Sequence, residues 1–308
     1  GFFMAEIHTL MVNDVPAFVL HTVDYKPLED MGFTVVEHDT ADSLLSAGPQ
    51  VEYVLTWDFE ATWYQRFPRL RCVFTPAAGD DWARPDPSDR VPVSHGSYHG
   101  ELMSESVLSA LLFMNHRMPQ MIRNHDRRGW DRVTQGKSRL LSGQSVLIVG
   151  YGHIGERCAR VISPHVREVI GVRRDPSLSN GAPIPVRSMS ELPELLPRSD
   201  HVVMLLPGGA ATDRFMNADR LSLMKPGGFI YNFGRGNSLV EKDLIPALIH
   251  LGGAFLDVTE EEPLPQDSLF WSHEGVFVTP HSSAIFEDYR RLFIEEVCEH
   301  LGNASQPL

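Results

Sequence analysis

Three chemically active side chains follow short apolar runs in the last third of this 308-residue chain. They are Arg235 in Asn232-Phe233-Gly234-Arg235-Gly236, Glu262 before Pro263-Leu264-Pro265, and His281 in Thr279-Pro280-His281-Ser282-Ser283. Each suits one part of the reduction of a 2-keto acid. A guanidinium binds a carboxylate and polarises a carbonyl. An imidazole titrating near neutrality delivers a proton to a developing alkoxide. A carboxylate hydrogen-bonded to that imidazole stabilises imidazolium and fixes the ring. One arginine after a strand is normally a surface charge, and one histidine after Thr-Pro a turn residue. Three complementary groups after successive strands ask for a different explanation.

The element that would bring a hydride carrier to them lies upstream, between Ser145 and Arg174. The apolar run Val146-Leu147-Ile148-Val149 ends at Gly150, Gly152 and Gly155, an amphipathic segment follows, and Glu168 to Val172 reads as a second strand. This is a βαβ unit of about thirty residues. Gly150 allows the tight turn, Gly152 lets a pyrophosphate approach the backbone, and Gly155 lets helix and strand pack closely. The amides of His153 and Ile154 open the helix whose dipole attracts phosphate. A glycine-rich turn of some other α/β domain is the plainer alternative. Arg173 and Arg174 stand where an NAD-selective site usually carries Asp or Glu. Guanidinium groups bind a 2′-phosphate that a carboxylate would repel, so NADP(H) is favoured over NAD(H). Asp175, next in the chain, keeps NAD(H) open.

Alternating strands and helices extend on both sides. Before the glycine turn, Thr34–Val36, Tyr53–Thr56 and Cys72–Phe74 read as strands, with short helices over 42–47 and 59–67. The loop Thr75 to Trp82 follows the third strand, where open α/β sheets bind ligands, and its small residues suit an anion; an ordinary turn is the competing reading. A connector rich in Pro, Asp and Ser over 84–93 leads to His95 and His99. Their spacing could ligate a metal on a helix, but Gly96-Ser97-Tyr98 is loop-like and no metal site is expected. A long buried helix is predicted over 101–117, and the basic run 123–139 reads as solvated surface. Later strands are predicted at 201–206, 229–233, 253–258 and 276–279, and a final helix at 288–300. The fold class is α/β, with two Rossmann-like doubly wound parallel-sheet domains. The substrate domain (4–100 and 285–308) is discontinuous, and the dinucleotide-binding domain covers 101–284.

Composition narrows the partners. The formal net charge is −13, which argues against nucleic acid and anionic membranes. No apolar run is long enough to span a bilayer. Three cysteines far apart suggest free thiols and a cytoplasmic location.

These segments, together with Leu256-Asp257-Val258, resemble in order and spacing the D-2-hydroxyacid dehydrogenase family, within it the glyoxylate/hydroxypyruvate reductase branch. The resemblance is strongest over 145–284. It implies Arg235, Glu262 and His281 as the catalytic set and Asp257 near the nicotinamide carboxamide. It also implies backbone contacts to cofactor at Leu206, Pro207, Phe233 and Gly234, and amides of Ala78 and Gly79 that hold the substrate carboxylate together with Arg235 and His281. The implied partner is a small 2-keto or 2-hydroxy acid, and the implied assembly a homodimer through the nucleotide domain. Asp80 departs from the pattern, because the family usually has a small apolar residue there and a carboxylate could repel an acidic substrate. A nucleotide-sensing binding protein of the same fold is the alternative from another class. A formate- or phosphite-type dehydrogenase is a third.

Overall fold

The computed structural model describes residues 5–79, 82–134 and 137–304, so the expectation about Asp80 lies outside the described residues. The chain divides into two compact units, Gly1–His99 with Ile285–Leu308, and Gly100–Ala284.

The first unit is built on β1 (Glu6–Leu10), α1 (Lys26–Asp30), β2 (Thr34–Glu37), α2 (Ala41–Leu45), β3 (Tyr53–Thr56), β4 (Cys72–Thr75) and β5 (Val93–His95). All five strands are parallel, in the order β2-β1-β3-β4-β5. β3 and β4 are buried at every position, which is why they read as continuous apolar runs.

The second unit takes in α3 (His99–Asn115) from Gly100 onward and α4 (Met118–Asp126), then runs β6 (Ser145–Val149), α5 (His153–Ile162), β7 (Glu168–Arg173), β8 (Val186–Ser188), α6 (Leu192–Leu195), β9 (His201–Met204), α7 (Ala218–Leu223), β10 (Phe229–Asn232), α8 (Glu241–Ala247), β11 (Gly253–Leu256) and β12 (Val276–Val278). Its seven strands are parallel, ordered β12-β11-β10-β9-β6-β7-β8. The chain winds one way from β6 to β8 and the other way from β9 to β12, so the strand order reverses between β6 and β9. Ligands of such sheets bind at the carboxyl ends beside that reversal. Both faces are covered. Val107, Leu111, Cys158 and Ile162 of α3 and α5 pack on one side, and Leu192, Leu221 and Leu244 of α6, α7 and α8 on the other.

The last helix, α9 (Tyr289–Ala304), belongs to the first unit, and Tyr289, Phe293, Val297 and Leu301, four residues apart, form its buried stripe. Among the described residues no helix is long and apolar enough to cross a membrane.

Three expectations need correction. The helix expected over 59–67 is only a short 3-10 turn at Trp63–Arg66, because Phe59 pairs with Ala83 in an isolated bridge and its ring packs against Tyr64 and Phe67. The connector expected up to Val93 ends in β5, which places His95 on a strand rather than in a loop. The basic run is not simply surface, since its start belongs to α4, where Asn124 is buried.

Candidate active site

The dinucleotide turn follows β6 directly. Gly150 has φ +100°, a left-handed conformation that glycine adopts freely, and a side chain there would meet the Leu205 carbonyl at 2.7 Å. Gly152 caps α5, and a Cβ built on it would meet nothing within 4 Å, so open space lies beside the first-turn amides of His153 and Ile154. First-turn amides of a helix point outward along its axis, at its positive dipole end, the arrangement an anion uses. Gly155 sits close beneath, where a Cβ would lie 3.1 Å from the Gly150 carbonyl. Across the sheet reversal, Leu205 N donates to Val149 O at 2.8 Å, which sets Leu206 and Pro207 beside this turn. Leu206 and Phe233 are buried, so a ligand there would meet their backbone rather than their side chains. Gly234 N is tied to Asn232 Oδ1 at 3.2 Å. These residues fit a bound dinucleotide: an open cradle over a helix start, flanked by strand-end backbone.

At the end of β7, Arg173 is half-buried and Arg174 exposed. Arg173 Nη1 donates to Ser179 Oγ at 2.8 Å. Asp175 accepts from the amide and hydroxyl of Ser177, and those bonds hold its carboxyl below the usual range.

Arg235, Glu262 and His281 follow β10, β11 and β12, three neighbouring strands. His281 Nδ1 lies 2.9 Å from Glu262 Oε2, and Glu262 Oε1 accepts from Thr259 N at 3.2 Å. With Nδ1–H donated to the carboxylate, Nε2 is left to carry the exchangeable proton. Arg235 lies on the adjacent strand end with its Cγ 3.4 Å from where a Cβ on Gly208 would stand. Its main-chain carbonyl accepts from Asn232 Nδ2 at 3.2 Å and from Ser238 Oγ at 2.7 Å.

The carboxylate of Asp257 is engaged by the His281 turn. Its Oδ1 accepts from Thr279 Oγ1 at 2.6 Å and Ser282 N at 2.8 Å, its Oδ2 from Ser283 N at 3.0 Å, and its main-chain carbonyl from His281 N at 2.8 Å. His281 has φ +49°, strained for a residue with a Cβ, and these four bonds hold the turn that imposes it. Ser106 of α3 adds a fifth through Ser283 O at 2.8 Å.

In the first unit, Ala78 and Gly79 stand after β4 in a loop whose Pro76 carbonyl accepts from Tyr98 at 3.4 Å and Tyr289 at 3.3 Å. Burial pushes both phenols up, so they stay protonated donors. Ala77 is buried, while Ala78 is exposed and Gly79 half-exposed. His99 uses both ring nitrogens within this unit, facing Gly96 O at 3.0 Å and Tyr289 Oη at 3.3 Å.

Sequence reasoning missed Asn232, Thr259 and the two tyrosines as anchors of the loops. The signal for Asn232 was present: an amide closing the apolar strand Phe229-Ile230-Tyr231.

Two parallel α/β units, one with a dinucleotide cradle at its sheet reversal and an imidazole–carboxylate pair at its strand ends, define a nucleotide-binding α/β protein of the dehydrogenase type. The domain model described as "D-isomer specific 2-hydroxyacid dehydrogenase, NAD binding domain" matches residues 108–283, and the chain belongs to that family. It is 30% identical over 189 residues to glyoxylate/hydroxypyruvate reductase A of Photorhabdus laumondii, covering 60% of this chain and 59% of that protein. The matched stretches span about half the length of the curated relatives. Among solved structures, the NADPH-dependent glyoxylate/hydroxypyruvate reductase of Sinorhizobium meliloti with NADP and sulfate superposes with TM-score 0.77 at 26% identity, covering 99% of this chain and 96% of that one. A D-isomer specific 2-hydroxyacid dehydrogenase of Xanthobacter autotrophicus with NADPH and MES gives 0.79 at 27%, with the same coverage.

Proposed function

We propose that this protein reduces small 2-keto acids of the glyoxylate/hydroxypyruvate class to D-2-hydroxy acids, using NADPH in preference to NADH. The observation that carries this reading is the Glu262–His281 pair at 2.9 Å, on the strand ends next to Arg235. The nicotinamide cofactor, when bound, supplies the hydride. Arg235 binds the substrate carboxylate and polarises the keto oxygen. His281 Nε2 gives its proton to that oxygen as negative charge develops, and Glu262 holds the ring and stabilises its protonated form. Within the first unit, the amides of Ala78 and Gly79 suit an anionic group. The NADP-bound S. meliloti reductase supports both substrate class and cofactor.

A steady-state screen of keto acids with both reduced cofactors tests the reading. Turnover should be fastest with two- and three-carbon 2-keto acids and NADPH. Tight NADPH binding with no turnover on any keto acid would replace it by a nucleotide-sensing function.

Two further results follow from the geometry. The double variant Arg173→Ala with Arg174→Ala should weaken NADPH about tenfold and leave NADH within about twofold, because only NADPH loses charge-assisted bonds. Equal losses in a binding titration would remove the phosphate argument. Asp257→Asn sets an amide NH₂ against the amides of Ser282 or Ser283. Turnover should fall about tenfold with NADPH affinity unchanged, since Asp257 acts through the His281 turn. A matching loss of NADPH affinity would instead place it on the cofactor.

Pairing of two copies through the second unit belongs to the same reading. Its support is the exposed apolar set Leu112, Met118, Ile122, Trp130, Val133 and Leu140. A cytoplasmic setting agrees with three cysteines that are all free.

A further inference from the structure

The turn after β7 holds one feature that the arginines alone do not explain. An acidic residue directly follows the two cations meant for a 2′-phosphate, and Asp175 facing the ribose would repel that phosphate while accepting from a free 2′-hydroxyl. Its Oδ1, however, is taken from two sides, by Ser177 N at 3.0 Å and Ser177 Oγ at 2.6 Å. The carboxylate is thereby the cap of the short 3-10 turn Pro176–Ser179. Two residues on, Ser179 Oγ accepts from Arg173 Nη1 at 2.8 Å. One serine thus restrains the repelling group, and the other restrains an attracting one.

We propose that Ser177 and Ser179 are specificity-determining residues for the cofactor: Ser177 keeps the Asp175 carboxylate folded into its own turn, away from a bound ribose, and Ser179 aims Arg173 at the 2′-phosphate. The proposal rests on the NADPH reading above and assigns it a mechanism that the Arg-Arg pair lacks. A carboxylate accepting a hydroxyl and an amide bond is fixed in direction as well as charge-stabilised. An arginine pinned through one Nη presents its remaining donors in a set fork and loses less rotamer freedom on binding.

The experiment uses the full chain and calorimetric titration with two small probes, 2′,5′-ADP and 5′-AMP, which differ only in the 2′-phosphate. The unaltered protein should bind 2′,5′-ADP at least about tenfold tighter. Ser177→Ala should cut that preference about fivefold, by weakening 2′,5′-ADP and strengthening 5′-AMP. Adding Asp175→Asn to Ser177→Ala should restore the preference, because the released group is then uncharged. Ser179→Ala should weaken 2′,5′-ADP about threefold and leave 5′-AMP unchanged. An unchanged ratio in both serine variants, with 2′,5′-ADP binding still lost on removal of Arg173 and Arg174, overturns the serine roles and leaves the NADPH reading standing. Equal weakening of both probes by Ser177→Ala, unrescued by Asp175→Asn, also overturns them. Equal affinity of the unaltered protein for the two probes overturns the NADPH reading and the serine roles with it.

Discussion

Replacing His281 with alanine should lower turnover on a 2-keto acid by about 10²–10⁴-fold, the range that one positioned general acid supplies. The loss belongs to kcat, because the proton moves only as the carbonyl oxygen gains charge, whereas the dinucleotide cradle at Gly150–Gly155 lies at the end of β6, with β9, β10 and β11 between it and β12. NADPH affinity should therefore stay within about twofold. The backbone complicates the alanine variant, since His281 has φ +49° and alanine is strained there as well. His281→Asn separates the effects: asparagine tolerates the left-handed region and cannot act as an acid near neutrality. If both variants lose turnover alike while retaining native circular dichroism and NADPH binding, the imidazole is the acid. If His281→Asn keeps turnover within threefold of the unaltered protein, His281 is not the acid and the enzymatic reading loses its main support.

The fold was legible where burial is uniform. Tyr53–Thr56, Val146–Val149, His201–Met204 and Phe229–Asn232 are buried at every position, so no polar alternation disguises them and each reads as a strand from sequence. β1 was missed although β2 and β3 flank it, because its interior carries His8 and Thr9, both buried, and no local pattern tells a buried polar strand from a loop. His8 is accommodated by stacking on His38, 30 residues away, at a centroid distance of 5.2 Å. The edge strands β5 and β8 were missed for the opposite reason, being three residues long and only part-buried or exposed. The candidate site divides similarly. Arg235, Glu262 and His281 could be named because each follows an apolar run. Their orienting contacts could not: Asp257 was named only for the nicotinamide, and it reaches Ser282 and Ser283 across some 25 residues, while Thr259 reaches Glu262 through a turn that propensity does not predict.

The second large effect lies at the opposite end of the same sheet and concerns stability. His201 begins β9 with no exposure, its Nε2 2.7 Å from Gln144 Oε1 and its Nδ1 2.9 Å from the Tyr231 hydroxyl. Gln144 Nε2 donates to Asn115 Oδ1 at 2.6 Å, which turns Oε1 toward the imidazole and assigns the proton to Nε2. The neutral ring is then satisfied on both sides, accepting at Nδ1 from Tyr231. A second ring proton would turn the tyrosine hydroxyl from donor to acceptor and place a charge in a site with no exposure. Burial accordingly pushes the His201 pKa down to about 4 from 6.5, against the pull of Asp200. In the unfolded chain the ring protonates as pH falls through about 6.5, while in the folded protein it stays neutral to about 4. The unfolded state therefore binds the extra proton in that window, and stability is full above it and falls with pH inside it, by about 3 kcal/mol in total. Asp200, next in the network, does not contribute in the same range. Burial would raise its carboxyl, but the Lys225 ammonium and the Ser145 amide bring it to about 2, so its share is lost only below the ordinary carboxylate range. Urea unfolding from pH 7 to pH 4.5 should show the decline, and the His201→Gln variant, uncharged throughout, should show a smaller one. His8, also depressed by burial, contributes to both proteins alike, so the difference between the two curves isolates His201. Parallel curves over that range would mean that His201 takes up its proton in the folded state, and the buried network at the amino ends of β6, β9 and β10 would have to be redrawn around an imidazolium.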